Sequence, residues 1–494
     1  MTQLLSLSRA ARLAGVTRAD IQRHIRRGDL TTFEGEIAVS DLLRVFPRVS
    51  LENDDALERV QRIKAAALPR SHDADTMLPS PAVLVTRLQA MGKALVAKAS
   101  ALDAAQALLD EVETRLTALT SPGADARALA RELTDWLAQA RLELAAGPQP
   151  DPEAQLFAKD TFLRLMAANI KIIPSGRDFF VEGNESILDA SVRAGLNLAY
   201  GCSSGNCGAC KARVVSGEVW KMRDHDYPLS AREKQMGYIL ACSNTAVTDL
   251  VLEAAEALSV DDLPRQDIRA TVRKKEVLDP DLMGLQIQTP RTHTLRFMAG
   301  QRALLWLEDG ASAELPIASC PCDPRHLQFL VRRRPGNPFA EALFSDQVRP
   351  GHLINLEGPV GRFVLDESSS APAVFIAFGE GIAPVRGLIE HGVSIDLIES
   401  FHLYWDAPAG EPFSCQNQWR WYRAMKDALD NFYVTPMVDA SLEDILALVI
   451  ADHADPVSRR FYLAGPRARI EPLAAGLRGL GVPEKHLSQE FLEP

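Results

Sequence analysis

Cys202, Cys207 and Cys210 stand in the run Gly-Cys-Ser-Ser-Gly-Asn-Cys-Gly-Ala-Cys, and Cys242 follows in Leu-Ala-Cys-Ser-Asn. The spacing is C-x4-C-x2-C and then a distant fourth cysteine, the ligand pattern of a [2Fe–2S] centre. Such a centre takes two thiolates per iron, and a tight loop can supply three of the four. Gly205 and Gly208 let the backbone curl, because glycine tolerates positive φ. A structural zinc site uses paired short spacings such as C-x2-C twice, and that arrangement is absent. The other three of the seven cysteines, Cys320, Cys322 and Cys415, have no obvious partners and read as buried or incidental thiols.

A second run with chemical capacity is Gly379-Glu380-Gly381-Ile382-Ala383-Pro384, directly after the apolar strand Ala373-Val374-Phe375-Ile376-Ala377. Glycines between a strand and a helix bring backbone amides up to a pyrophosphate at the helix N-terminus. A plain strand-to-helix turn in an α/β domain has the same form, so the run alone does not decide.

A chain of 494 residues exceeds one core and implies about three to four domains at ~100–200 residues each. The hydrophobic and charged fractions, 47% and 24%, are those of a globular protein. A net charge of −11 carries no global signature of nucleic-acid binding. Few cysteines beyond the four ligands point to a reducing compartment. No apolar run approaches the ~18–20 residues of a bilayer span, and the first residues lack the basic start and apolar core of a secretion signal. These features predict a cytoplasmic protein with no membrane span.

The elements that must position these residues divide the chain into five parts, at 1–50, 51–150, 165–258, 264–368 and 369–494. In the first, Ser8 is expected to cap a helix through Leu13, Gly15 makes a turn, and Thr17 caps a second helix from Arg18 to about Arg27. Ala10, Leu13, Val16, Ile21 and Ile25 give two helices a shared core, which leaves Arg18, Arg23, Arg26 and Arg27 on an exposed face. Residues 81–119 and 124–146 carry apolar residues at helical spacing. They are separated by Ser121-Pro122-Gly123 and closed by the stiff Gly147–Pro152 linker. They predict a helical hairpin or a coiled-coil seam, the latter giving a homo-oligomer. Asn169–Pro174 and Arg177–Val181 alternate as a hairpin, and Ser186–Gly195 reads as a helix ahead of the cysteine loop. Ile268–Val277, Leu285–Thr289, Ala303–Leu307 and Leu327–Arg332 read as strands of a small barrel.

On these residues the cysteine segment resembles the β-grasp of plant-type ferredoxins over about ninety residues. Residues 1–50 resemble the helix-turn-helix of the MerR and excisionase families. Their wing is acidic, however (Phe33-Glu34-Gly35-Glu36), so docking or dimerisation is favoured over DNA contact. Ile317-Ala318-Ser319, Gly358–Phe363, Gly379, Gly381, Ala383 and Pro384, Phe461–Pro466 and Glu490-Phe491 resemble the ferredoxin–NADP reductase-like module of oxygenase and deoxysugar reductases. The combined fold class is multidomain α+β and α/β: helix-turn-helix, helical hairpin or coiled coil, β-grasp, flavin-type β-barrel, nucleotide-type α/β domain.

The resemblance implies FAD on the barrel at Pro316, Ile317, Ala318 and Ser319, with Phe491 near the ring, and NAD(H) at Gly379, Gly381, Ala383, Pro384, Gly465 and Pro466. It further implies electrons passing from NAD(P)H through flavin to a [2Fe–2S] cluster on Cys202, Cys207, Cys210 and Cys242, and on to or from a redox partner protein. The family's Arg-x-Tyr-Ser flavin signature reads Ala313-Glu314-Leu315-Pro316 here, its phosphate turn reads Gly336-Asn337-Pro338-Phe339-Ala340, and a carboxylate, Glu380, stands where a threonine is usual. A charge-assisted arginine–phosphate bond is worth roughly 1.5–3 kcal/mol, so its loss weakens flavin binding, with Arg332, Arg333 or Arg334 as candidate substitutes. Two functions stand against each other: an iron–sulfur electron-transfer oxidoreductase, and a redox-sensing regulator or scaffold whose reductase half no longer takes flavin and NAD. If a dinucleotide binds, NAD is favoured over NADP, because no arginine follows Tyr404-Trp405-Asp406.

Overall fold

The structure, a computed structural model, describes residues 4–32, 35–47, 166–334, 336–345, 347–407 and 416–492, with short pieces between 83 and 164. The proposed helical hairpin or coiled coil, its linker and Cys415 fall largely or wholly outside the described residues.

The N-terminal unit runs β1 (Leu4–Ser6), α1 (Leu7–Ala14), α2 (Arg18–Arg27), β2 (Glu36–Ala38) and α3 (Val39–Val45). Gly15 at φ 71° ends α1, and Thr17 closes a reciprocal capping box with Asp20 at the start of α2. Ala10, Leu13, Ile21, Leu30, Ile37 and Leu42 are buried together. The cap of α1 is Ser6, not Ser8. The Ser8 hydroxyl instead donates to Asp178 at 3.1 Å, in the next unit.

The cysteine-bearing unit contains β3 (Ala167–Ile173), β4 (Asp178–Glu182), α4 (Ile187–Arg193), β5 (Lys211–Ser216), β6 (Val219–Lys221), α5 (Ala231–Gln235), β7 (Tyr238–Leu240), β8 (Asn244–Ala246) and β9 (Leu250–Glu253). Its main sheet has the order β4-β3-β9-β5-β7, with β3 and β9 parallel and the other neighbours antiparallel. The predicted hairpin is β3–β4, and Ser186 caps α4 by accepting from the Asp189 N–H.

The third unit is a six-stranded antiparallel sheet of β10 (Gln266–Asp279), β11 (Leu282–Gln288), β12 (Arg302–Trp306), β13 (Ser312–Pro316), β14 (His326–Arg332) and β15 (Leu353–Val360). A short helix, α6 (Pro338–Phe344), accompanies it. The order β13-β12-β15-β10-β11-β14 leaves β13 and β14 at the two edges. The Ala318 N–H donates to the Gln328 carbonyl at 2.8 Å just past β13, so the sheet nearly closes on itself. The sequence reading omits β13 and β15. The first is short and poor in β-branched residues, and the second contains Gly358-Pro359, which reads as a turn.

The last unit alternates β16 (Ala373–Phe378), α7 (Ile382–Ile395), β17 (Phe401–Ala407), α8 (Gln416–Ala428), β18 (Phe432–Val438), α9 (Leu442–Asp452), β19 (Arg460–Gly465), α10 (Arg467–Gly479) and β20 (Leu487–Phe491). All five strands are parallel in the order β18-β17-β16-β19-β20. β16 is buried along its whole length, as helices on both faces require. The order reverses between β16 and β19, and a doubly wound sheet opens its ligand crevice at the carboxyl ends of such a pair.

Ion pairs and hydrogen bonds join the units. Arg9 pairs with Asp249 at 2.6 Å, Arg177 with Glu367 at 2.8 Å, and Arg26 with Glu399 at 2.5 Å. Of the α2 arginines expected on an exposed face, Arg23 also meets Glu399, the Arg18 backbone N–H donates to Asp396 at 2.8 Å, and Arg27 is exposed. Among the described residues no helix is long and apolar enough to cross a membrane.

Candidate functional site

The loop between α4 and β5 carries three of the four cysteines, and the fourth follows β7 directly. The Ala241 N–H donates to the Cys210 carbonyl at 3.0 Å, which holds the two ligand segments side by side. Gly205 and Gly208 adopt φ of 87° and 73°. A Cβ on Gly208 would lie 2.3 Å from the Tyr227 ring, and one on Gly205 would lie 2.6 Å from the His225 Cβ. Both glycines are therefore required by positive φ and by close approach. Cys202, Cys210 and Cys242 are buried and Cys207 is exposed, so one corner of the site faces outward.

Cys202 interacts with Cys207, and Cys210 with Cys242 and also with Cys207. Burial opposes the Cys202 thiolate, but hydrogen bonds from Cys207 and Ser204 outweigh it and bring its pKa down to about 6. Cys242 also falls to about 6, through Cys210 first and then, against burial, through Ser243 and Arg223. The shared proton and burial push Cys210 upward. A soft, partly deprotonated four-sulfur donor set on a glycine cradle fits a [2Fe–2S] cluster.

Arg223 is a site residue that the sequence reading missed. Its guanidinium donates to the Cys242 carbonyl at 3.0 Å and to the Ser203 carbonyl at 2.6 Å, bridging the ligand loop and the fourth ligand. On the other side, the Ser203 hydroxyl donates to the Arg291 carbonyl at 2.7 Å. Tyr200 packs beneath Arg296, 5.5 Å from its ring centroid, and meets Thr294. The cysteine loop thus rests against the barrel.

The second part of the site is a cleft of about 330 Å³ at the β16/β19 reversal, bounded by the end of β14. Gly379 and Pro466 line it. Gly381, Ala383 and Pro384 are buried behind it. A Cβ on Gly381 would meet the Ala464 carbonyl at 2.1 Å, so this glycine lets the turn pass over β19. Gly465 sits at φ 150° against Phe378. The Trp405 indole donates to the Gly379 carbonyl at 3.3 Å and steadies the turn.

Pro316, Ile317, Ala318 and Ser319 are buried and lie outside the lining of this cleft. The Ile317 N–H donates to the Gln301 carbonyl at 2.9 Å, and the Ser319 hydroxyl accepts from the Gln328 N–H at 3.2 Å. The first bond extends the β12–β13 pairing, and the second joins the chain just past β13 to β14. Phe491 ends β20 beneath the Arg467 guanidinium, 4.0 Å from its ring centroid, and the adjacent Glu490 is paired with Arg302. Burial raises the Glu490 carboxyl pKa, although Arg302 opposes it.

Cations for a diphosphate come from elsewhere. Arg332 and Arg334, on and after β14, and Arg469 on α10 line the cleft. Arg332 meets Glu380 at 2.5 Å and Arg334 meets it at 3.1 Å, while Arg469 meets Asp406 at 2.9 Å. The expected carboxylate beside the glycine turn is present, but neutralised by two guanidiniums rather than isolated. The cations fit a dinucleotide diphosphate, and they come from the end of β14, from just past it and from α10 rather than from β13, where Ala313 stands in place of the signature arginine.

Comparison with known proteins agrees with this geometry. Residues 170–247 match the 2Fe-2S iron-sulfur cluster binding domain, and residues 269–365 match the oxidoreductase FAD-binding domain. A CDP-6-deoxy-L-threo-D-glycero-4-hexulose-3-dehydrase reductase of Yersinia pestis is 29% identical over 256 residues, 51% of this chain and 76% of that protein. The reductase component of a Rhodococcus jostii propane 2-monooxygenase is 27% identical over 332 residues, 64% of this chain and 89% of that one. The ferredoxin–NAD(+) reductase component of a Xanthobacter autotrophicus alkene monooxygenase system is 29% identical over 241 residues, 49% of this chain and 73% of that protein. The chain carries an iron–sulfur domain followed by an FAD-binding oxidoreductase domain, and its function class is that of an iron–sulfur electron-transfer oxidoreductase.

Proposed function

We propose that this chain is a reductase component that draws electrons from NAD(H) and delivers them one at a time to a partner protein through the cluster on Cys202, Cys207, Cys210 and Cys242. A flavin, when bound, supplies the conversion between a two-electron donor and a one-electron cluster. The chain's own residues hold and orient the groups. Arg332, Arg334 and Arg469 offer cations to a diphosphate, the Gly379–Gly381 turn leaves room for its backbone approach, and the glycine cradle keeps the thiolates in place.

The observation that carries this reading is the Ser203–Arg291 contact. It sets the ligand loop against the barrel, whose β14 in turn reaches Glu380 in the nucleotide turn. Cluster, barrel and nucleotide turn then follow one another in space as they do in the proposed electron path. The exposed Cys207 corner is where a partner would approach. NAD is favoured over NADP because no arginine follows Tyr404-Trp405-Asp406 at the end of β17. The ferredoxin–NAD(+) reductase relative supports the same choice.

The test is an absorption spectrum of anaerobically isolated protein before and after NADH. The expected result is flavin absorption over broad cluster bands, both bleached by NADH. Cluster bands alone that stay unchanged with NADH contradict the proposal and favour a redox sensor or carrier.

A further inference from the structure

Glu380 lies between Gly379 and Gly381, so its backbone position is set by the turn after β16. Its side chain leaves that turn and reaches the end of β14, where it accepts from Arg332 at 2.5 Å and from Arg334 at 3.1 and 3.3 Å. This ion cluster joins the barrel to the parallel sheet across the mouth of the cleft. The remaining cation, Arg469, is paired with Asp406 and stacked 4.6 Å above the Phe378 ring. Among the described lining residues, Arg332, Arg334 and Arg469 therefore face Glu380, Asp406 and Asp439, and the formal charges of these six cancel. A cleft of zero formal charge is a poor receiver for a diphosphate, which carries two negative charges. With Glu380 neutral, the same lining carries a net positive charge.

We propose that Glu380 is a resident anion in a dinucleotide-diphosphate site, so that binding is an exchange in which the diphosphate takes Arg332 and Arg334 and the carboxylate turns out to solvent. The inference rests on the reading that this cleft takes FAD or NAD(H). The exchange is physically reasonable because the Glu380 side chain retains 19% exposure and so can rehydrate with a short movement. Arginine also engages phosphate oxygens with two parallel N–H donors, at least as well as it engages a carboxylate. Glu380 would then set the affinity for the dinucleotide without touching the reacting atoms, as a specificity-determining residue.

The experiment titrates the anaerobic full-length protein separately with FAD, read by quenching of flavin fluorescence, and with NADH, read by its own fluorescence. Wild type is compared with Glu380→Gln and with Glu380→Gln combined with Arg332→Ala and Arg334→Ala. Glu380→Gln should tighten one or both dinucleotides by about tenfold or more, and the two alanines should cancel the gain. Unchanged cluster bands in each variant report an intact fold. Which titration tightens tells flavin from nicotinamide. If wild type binds a dinucleotide and Glu380→Gln binds it equally or more weakly, Glu380 is only a structural bridge and the inference falls while the reductase reading stands. If neither wild type nor Glu380→Gln binds either dinucleotide, the reductase reading falls and takes the inference with it.

Discussion

Arg223 shows at the scale of one residue what cysteine spacing leaves out. It donates to two carbonyls on separate segments, Ser203 in the ligand loop and Cys242 at the fourth ligand, and it favours the Cys242 thiolate. Hydrogen bonds from a charged donor are worth about 1.5–3 kcal/mol. Arg223→Ala should therefore leave the four thiols in place but loosen their closure, so that a chelator bleaches the cluster bands several-fold faster than in wild type. Arg223→Lys should fall between the two. Equal bleaching rates would show that Arg223 does not brace the site. The four cysteines proposed as ligands could be singled out because their chemistry lies in local spacing. Arg223 could not, because a partnership with Cys242 nineteen positions away leaves no local pattern. The same holds for Arg332 and Arg334: the replacement of the signature arginine by Ala313 was visible, but the direction in which its neighbours point depends on the β13–β14 closure.

The elements of the N-terminal unit were legible where capping chemistry marks them. Thr17 with Asp20 opens α2, and Gly15 and Gly28, in the left-handed region, end α1 and α2. What the sequence could not reveal is where α2 faces. Arg23 and Arg26 converge on Glu399, which lies just before β17 and far along the chain. Both pairs are partly exposed, so each is worth at most about 1 kcal/mol and is weakened by salt. Arg23→Glu with Arg26→Glu should free the N-terminal unit from the α/β unit, seen as faster limited proteolysis between residues 27 and 83. Adding Glu399→Arg should restore the wild-type rate. A double variant cut no faster than wild type would show that the unit's other contacts, such as Ser8 with Asp178, Arg9 with Asp249 and the Arg18 N–H with Asp396, hold it in place. β13 and β15 escaped sequence reading because a barrel strand is set by its neighbours as much as by its own pattern. The strands buried on both faces, such as β16, were the most legible.

For the whole molecule, the iron–sulfur domain ahead of the flavin-type barrel was legible, and the mutual placement of the units was not. That placement is written in contacts between distant residues, such as Ser203 with Arg291, Arg177 with Glu367, and Gly387 of α7 lying close to the Ile317 carbonyl. Each of these sets one unit against another, and together they bring a thiolate loop, a barrel and a nucleotide turn into a continuous body. The account as a whole depends on the loop holding iron and sulfide. Iron and acid-labile sulfide should be measured per chain in protein isolated without oxygen. About two of each is the expected result, from the [2Fe–2S] stoichiometry. Colourless protein that lacks sulfide, or that holds zinc on the same four thiols, would contradict it.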